Sequence, residues 1–94
     1  MDKELKAKWV KALRSGKYEQ GRTHLHRDGH YCCLGVLLDV AGAPREEWDG
    51  ACLAPFCDDL RDKYLEFKTA SKLAEMNDSG DTFAEIANYI EANL

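Results

Sequence analysis

The segment that most constrains the fold is the apolar run from Cys33 to Ala41. Its leucines recur at the three- and four-residue spacing of a helix face, and the run is too long and too apolar for an edge strand. Gly42 and Pro44 follow and stop the helix. The run therefore predicts a buried central helix. Gly35 costs about 1 kcal/mol relative to alanine in a helix interior, which predicts that another backbone comes close there.

The stretch immediately before this helix has the pattern of a β-hairpin. Residues 22–27 alternate in character, and Asp28-Gly29 is a strong signal for a two-residue turn. Alternate side chains of a strand point to the same face. The turn predicts the pairs Arg27–His30, His26–Tyr31, Leu25–Cys32 and His24–Cys33, with His24, His26, Tyr31 and Cys33 on one face and Leu25, Arg27, His30 and Cys32 on the other.

An N-terminal helix is predicted over residues 2–15, and Gly16 supplies its stop. Lysines fill one side of this helix, and we expect the other side to dock on the core. The apolar side carries Leu5, Trp9, Ala12 and Leu13.

The C-terminal third predicts two more helices. The first runs from residue 69 or 70 to Met76 and ends at the turn formed by residues 77–80. The second opens with a capping box, Thr82 to Glu85. Residues 45–68 predict a mostly irregular crossing with one short helical turn. The apolar stripe of the last helix consists of Phe83, Ile86, Ala87, Ile90 and Leu94.

Together these elements predict a single domain, residues 1–94, of class α+β and mainly α. Three to four helices pack around an apolar central helix, with one small β-hairpin. The composition is 45% hydrophobic and 10% aromatic, which indicates a folded globule. No apolar run approaches the roughly 20 residues that span a bilayer, and the N-terminus lacks the plan of a secretory signal. We expect a cytoplasmic protein with reduced thiols and no membrane partner.

The net charge of −4 conceals an uneven distribution along the chain. The first 30 residues carry eight Lys or Arg and four acids, whereas residues 31–94 carry five bases and thirteen acids. Solvated surfaces are the simplest interpretation, and complementary faces also allow a homo-oligomer. Acids beside a tryptophan further predict docking on a basic groove of another protein, such as a nucleic-acid enzyme. This partner surface would comprise Glu46, Glu47, Trp48, Asp49, Asp58, Asp59 and Asp62.

The basic N-terminal part instead predicts anion binding, either to nucleic-acid phosphates or to a small nucleotide. Basic side chains supply phosphate contacts and tyrosines stack on bases. The overall acidity and the lack of a Gly-rich phosphate loop argue against nucleic acid as the main ligand. The predicted anion site comprises Arg14, Lys17, Tyr18, Arg22, His24, His26 and Arg27.

The cysteines and histidines leave three interpretations open. The simplest is that the cysteines are small buried hydrophobic residues, with no cofactor and one thiol facing the histidine side of the hairpin. A structural zinc is the alternative, with His24, His26, Cys33 and Cys57 as ligands. A cysteine nucleophile is the third, in which Cys32 or Cys33 at a helix N-terminus would use His30 as base and Gln20 as oxyanion donor.

Three motifs resemble those of a family of small proteins encoded by bacteriophages and prophages. They are residues 13–21 (LRSGKYEQG), 31–37 (YCCLGVL) and 73–87 (LAEMNDSGDTFAEIA). The resemblance implies a shared fold and a context in which accessory proteins inhibit a host defence component by binding; it transfers no active site. We therefore expect a non-enzymatic binding protein that occupies the surface of a host protein, such as a nucleic-acid enzyme or immune effector, or sequesters a small nucleotide signal. A zinc-stabilised nucleic-acid-associated module and a cysteine-dependent enzyme are the alternatives.

Overall fold

A computed structural model describes residues 2–22, 24–43, 65 and 67–94. These residues form four helices and a small three-stranded sheet, so the predicted class, α+β and mainly α, is confirmed. No helix in this part of the chain is long and apolar enough to cross a membrane. The elements in chain order are α1 (Lys3–Arg14), β1 (Glu19–Gln20), β2 (His26–Arg27), β3 (His30–Tyr31), α2 (Cys33–Ala41), α3 (Phe67–Asp78) and α4 (Phe83–Asn93).

Helix α1 forms as the sequence predicts and docks through its apolar side. The Asp2 side chain caps its N-terminus by accepting a hydrogen bond from the Leu5 amide at 2.9 Å. Trp9 is fully buried, and its indole N–H donates to the Cys33 carbonyl at 2.8 Å. A buried indole needs such a partner, so this bond fixes α1 against the start of α2.

Helix α2 is the buried centre of the fold. Every residue from Cys33 to Leu38 is buried. The helix begins at an unusual cap, the Cys32 sulfur, which accepts from the Gly35 amide at 3.3 Å. It ends at Gly42, whose φ of 78° is left-handed.

The expected close backbone approach at Gly35 is confirmed. A Cβ atom built on Gly35 would lie 1.9 Å from the carbonyl oxygen of Leu25. The same carbonyl accepts a hydrogen bond from the Cys32 amide at 3.2 Å. The hairpin is therefore packed directly against the first turn of α2, and only glycine fits between them.

The sheet contains the predicted hairpin and one strand that the sequence did not indicate. His26 pairs with Tyr31 and Arg27 with His30, as the turn requires. Strand β1 pairs in parallel with β3, which gives the order β1-β3-β2. The predicted strand pair His24–Cys33 is wrong, because Cys33 is the first residue of α2, as the apolar run predicts.

Helices α3 and α4 close the core. The capping box of α4 is confirmed, since the Thr82 hydroxyl accepts from the Glu85 amide at 3.2 Å and the Thr82 amide donates to the Glu85 carboxylate at 3.1 Å. Helix α3 is longer at both ends than predicted, and it includes Asn77, which was expected in a turn. The predicted irregular crossing of residues 45–68 lies mostly outside the described residues.

The two charged halves of the chain are partly interleaved. Helix α4 packs along α1, and Arg14 donates both to Asn88 Oδ1 and to Glu91 Oε1 at 2.7 Å. This exposed ion pair lowers the pKa of Glu91, chiefly through its hydrogen bond with Arg14. A purely basic N-terminal face therefore does not form at the end of α1.

Candidate anion-binding site

The hairpin and the segment before it form a small surface concavity of about 310 Å3, which we call the hairpin pocket. Four of its lining side chains are basic or imidazole groups, and one is a carboxylate. These residues all lie within positions 21–30, on the hairpin and the segment directly before it. Its lining residues are Gly21, Arg22, His24, Arg27, Asp28 and His30.

Backbone geometry holds the segment before the hairpin against strand β3. The Gly21 amide donates to the Tyr31 carbonyl at 2.7 Å, directly after the parallel pairing of β1 with β3. A Cβ at Gly21 would lie 2.7 Å from the Cβ of His30, closer than real Cβ atoms approach a neighbour. Gly21 therefore allows the pocket wall to sit against β3.

A buried amide supports the pocket from behind. Asn77 has no solvent exposure, and its Nδ2 donates to the Gly21 carbonyl at 2.8 Å. Its Oδ1 accepts from Gln20 Nε2 at 3.1 Å and from the Cys33 amide at 3.2 Å. One side chain thus ties α3 to β1 and to the start of α2. A buried polar group satisfied in this way holds its neighbours in one arrangement.

The electrostatics of the pocket favour an anion. Arg27 is 66% exposed and lies 3.8 Å from the Asp28 carboxylate, which is a loose ion pair. The Arg22 guanidinium lies near the end of α3, because a Cβ at Gly80 would be 3.1 Å from its Nη2. Guanidinium groups bind phosphate and carboxylate with two parallel hydrogen bonds.

His30 occupies the edge of the pocket. Its Nε2 lies 3.2 Å from the Glu19 carboxylate, and its Nδ1 lies 3.1 Å from the Asp28 carbonyl oxygen. These contacts orient the ring across β1 and the turn. The sequence predicted His30 as a catalytic base and did not place it in the anion site.

The structure brings together only part of the predicted anion site. Arg22, His24 and Arg27 meet at the pocket. The other four residues do not line it. Arg14 is bound to Glu91 on α4, and the Tyr18 hydroxyl donates to Asp39. The His26 ring packs at a tilt against the Tyr31 ring with 4.5 Å between centroids, and Lys17 is exposed after α1.

The expectation that one thiol faces the histidines is wrong, since Cys32 and Cys33 are both fully buried. The Cys33 thiol donates to the Leu73 carbonyl at 3.5 Å. Desolvation raises the pKa of Cys33 well above its usual range, with a smaller contribution from Cys32. A buried thiol of raised pKa is a poor nucleophile. The proposed oxyanion donor Gln20 is also engaged, with Asn77 and with the Asp81 carbonyl at 2.6 Å.

The predicted metal ligands do not meet in the part of the chain that the structure describes. No three or more His, Cys, Asp or Glu side chains form a metal-binding group there. Cys33 points into the core, whereas His24 lines the hairpin pocket. Cys57 and the whole predicted acidic partner surface, Glu46, Glu47, Trp48, Asp49, Asp58, Asp59 and Asp62, lie outside the described residues.

Comparison with known proteins places the chain in a family. No curated protein and no solved structure matches it. One family profile matches residues 1–64, which contain α1, the sheet and α2. This match covers more than half of the chain, and the chain belongs to the family described as a domain of unknown function (DUF8296).

Proposed function

We propose that the protein is a small phage-type accessory protein that acts by binding, and that it sequesters a small nucleotide signal of a host defence system in the host cytoplasm. The observation that carries the proposal is the convergence of Arg22, His24, Arg27 and His30 on the hairpin pocket. The resemblance of three sequence motifs to those of phage-encoded proteins supports the biological setting.

The composition of the pocket supports an anionic ligand. Two guanidinium groups and two imidazoles face one carboxylate, that of Asp28. A phosphate group would accept bidentate hydrogen bonds from Arg22 or Arg27. Charge-assisted bonds of this kind contribute about 1.5–3 kcal/mol each.

The size of the pocket supports a compact ligand. Small-molecule sites typically have volumes of about 300–1,000 Å3, and the pocket, at about 310 Å3, lies at the low end of that range. A nucleic-acid strand would instead require a longer basic track with stacking platforms for successive bases. We therefore favour a mononucleotide-sized group, or one half of a larger signalling nucleotide.

The support behind the pocket favours tight capture. Asn77 and Gly21 fix the pocket wall through a buried hydrogen bond and a close backbone approach. A site formed before the ligand arrives loses less conformational entropy on binding. Sequestration depends on such affinity and requires no chemical step, which agrees with the burial of both described thiols.

Native mass spectrometry of the protein purified from host cells, followed by calorimetry with a panel of mono-, di- and cyclic nucleotides, tests the proposal. We expect a retained or titratable nucleotide whose Kd rises about tenfold or more in Arg27→Gln and in Arg22→Gln, because each loses a charge-assisted bond. Lys8→Gln is the matched control, since Lys8 is equally cationic and exposed but lies on α1, away from the pocket.

Two results would contradict the nucleotide proposal. One is the absence of any bound or titratable nucleotide. The other is binding that Arg27→Gln and Lys8→Gln weaken equally, which would indicate non-specific attraction. Recovery of a stoichiometric host protein without nucleotide would favour the other form of the hypothesis, in which the protein blocks a protein surface.

A further inference from the structure

A second, larger concavity runs along α1 where it meets the end of α4. It has a volume of about 970 Å3 and shares no lining residue with the hairpin pocket. We call it the α1–α4 groove. It is lined by Lys3, Lys6, Ala7, Val10, Lys11, Arg14, Ser15, Glu91 and Leu94.

The groove follows the helix axis. Its α1 residues recur at intervals of three and four positions, from Lys3 through Ala7 and Val10 to Arg14, so they lie on one side of the helix. Eleven residue steps at about 1.5 Å each give a length of about 16 Å. The groove is thus an elongated trough about three helical turns long.

The two ends of the groove differ in charge. At the Arg14 end, the guanidinium is already paired with Glu91 at 2.7 Å. Among the described residues, Lys3, Lys6 and Lys11 have no ion-pair partner within 4 Å, although Lys6 contributes at longer range to the lowered pKa of Glu91. The positive potential therefore lies towards the N-terminal and middle turns of α1.

The floor of the groove is apolar. Val10 is nearly buried, Leu94 is half-buried and Ala7 is exposed. The aliphatic stems of the lysines extend this apolar surface while their ammonium groups remain in water. A row of cations above an apolar floor matches a ligand that has both negative charge and an apolar side.

We propose that the α1–α4 groove binds an acidic amphipathic helix of a partner protein. Carboxylates three and four residues apart on such a helix would face Lys3, Lys6 and Lys11. Its apolar side chains would pack on Ala7, on Leu94 and on the aliphatic stems of the lysines. Charge complementarity would set the orientation and the association rate. A nucleic-acid backbone fits the groove less well, because phosphates gain nothing from the apolar floor.

A direct binding assay tests this inference. The probe is a fluorescein-labelled peptide of about 18 residues, long enough for several helical turns, with leucines at positions i, i+3 and i+4 and glutamates on the flanking positions. Poly-glutamate supplies charge without an apolar side, and a single-stranded oligothymidylate supplies phosphates. We expect saturable binding of the amphipathic peptide, weaker at high salt, and at least tenfold weaker binding of the other two probes.

Charge-reversal variants locate the site. Lys6→Glu combined with Lys11→Glu is expected to weaken peptide binding by roughly tenfold or more. Lys8→Glu is the matched control on the same helix, because Lys8 is exposed and does not line the groove. Thermal unfolding followed by circular dichroism checks that each variant is folded, and the single variant Lys11→Glu replaces any double variant that is not.

Three outcomes would overturn the inference. The first is no saturable binding of the amphipathic peptide, and the second is an equal loss in Lys6→Glu/Lys11→Glu and Lys8→Glu. The third is tighter binding of the oligothymidylate through the same lysines, which would make the groove a nucleic-acid site. The α1–α4 groove and the hairpin pocket share no lining residue, and Arg27→Gln changes only the pocket. A failure of peptide binding can therefore be distinguished from a failure of the nucleotide proposal.

Discussion

Replacement of Gly35 by alanine tests the contact on which the central packing depends. In an isolated helix this substitution is stabilising by roughly 0.5–1 kcal/mol, because alanine loses less backbone entropy than glycine. Here the new Cβ would lie 1.9 Å from the Leu25 carbonyl oxygen and 2.8 Å from its carbonyl carbon. Backbone atoms have no alternative rotamer, so the hairpin or α2 has to move.

The size of the effect follows from that geometry. Ordinary contact at this position begins at 3.4 Å, so a separation of 1.9 Å requires a substantial backbone shift. Overpacking costs about 1–3 kcal/mol, and displacing the Leu25 carbonyl weakens its hydrogen bond with the Cys32 amide by about 1 kcal/mol. After the helix-propensity gain is subtracted, we expect a net destabilisation of about 1–3.5 kcal/mol.

Urea denaturation followed by tryptophan fluorescence and circular dichroism measures this difference. Such a loss is a large part of the roughly 5–14 kcal/mol expected for a domain of this length. Ala7→Gly, at an exposed position in the middle of α1, calibrates helix propensity in the same chain. The reasoning is refuted if Gly35→Ala is as stable as the wild type or more stable, since propensity alone would then account for the result.

Three further predictions concern buried or paired polar groups. Asn77→Ala removes three hydrogen bonds from a fully buried site, so we expect urea denaturation to show a loss of about 2–4 kcal/mol; a loss below about 1 kcal/mol would contradict its bridging role. Burial raises the pKa of Cys33. Above about pH 8.5, the ordinary value for cysteine, the unfolded chain therefore loses the thiol proton while the folded chain keeps it. The free energy of unfolding should then fall with rising pH by up to about 1.4 kcal/mol per unit, and Cys33→Ala should show a shallower fall in denaturation between neutral and alkaline pH. Because Arg14 lowers the pKa of Glu91, their pairing stabilises the fold above the ordinary glutamate value of about 4.3 and is lost as the pH falls below it; Glu91→Gln should reduce this acid sensitivity in thermal melts, and equal sensitivity in both proteins would contradict it.

Local patterns in the sequence predicted the elements that depend on short-range signals. The Asp28-Gly29 turn fixes the register of the hairpin by itself, with Asp28 at a φ of 52° and Gly29 at 81°. The capping box of α4 and the apolar run of α2 are likewise local. Gly35 could be interpreted because glycine inside an otherwise strong helix is costly unless something comes close.

The features that were missed depend on residues far apart in the chain. Strand β1 has only two residues, too few to show alternation, and exists because β3 offers it a parallel partner. Asn77 resembles a turn residue in sequence, and tertiary hydrogen bonds draw it into the last turn of α3 instead. Similarly, the seven residues of the predicted anion site follow from residue type and nearness in sequence, whereas three-dimensional position decides which of them meet.

The buried amide of Asn77 has a consequence for how the chain folds. Its partners Gln20, Gly21 and Cys33 are 57, 56 and 44 positions away in sequence, so the hydrogen bonds form only after α3 has docked. The family profile ends at residue 64, before this helix begins. Two backbone groups of the N-terminal part, the Gly21 carbonyl and the Cys33 amide, nevertheless bond to the Asn77 side chain beyond that boundary. We therefore expect the N-terminal segment and the last two helices to fold as one cooperative unit. The backbone amide of Cys33 should consequently exchange with solvent only when the whole domain unfolds.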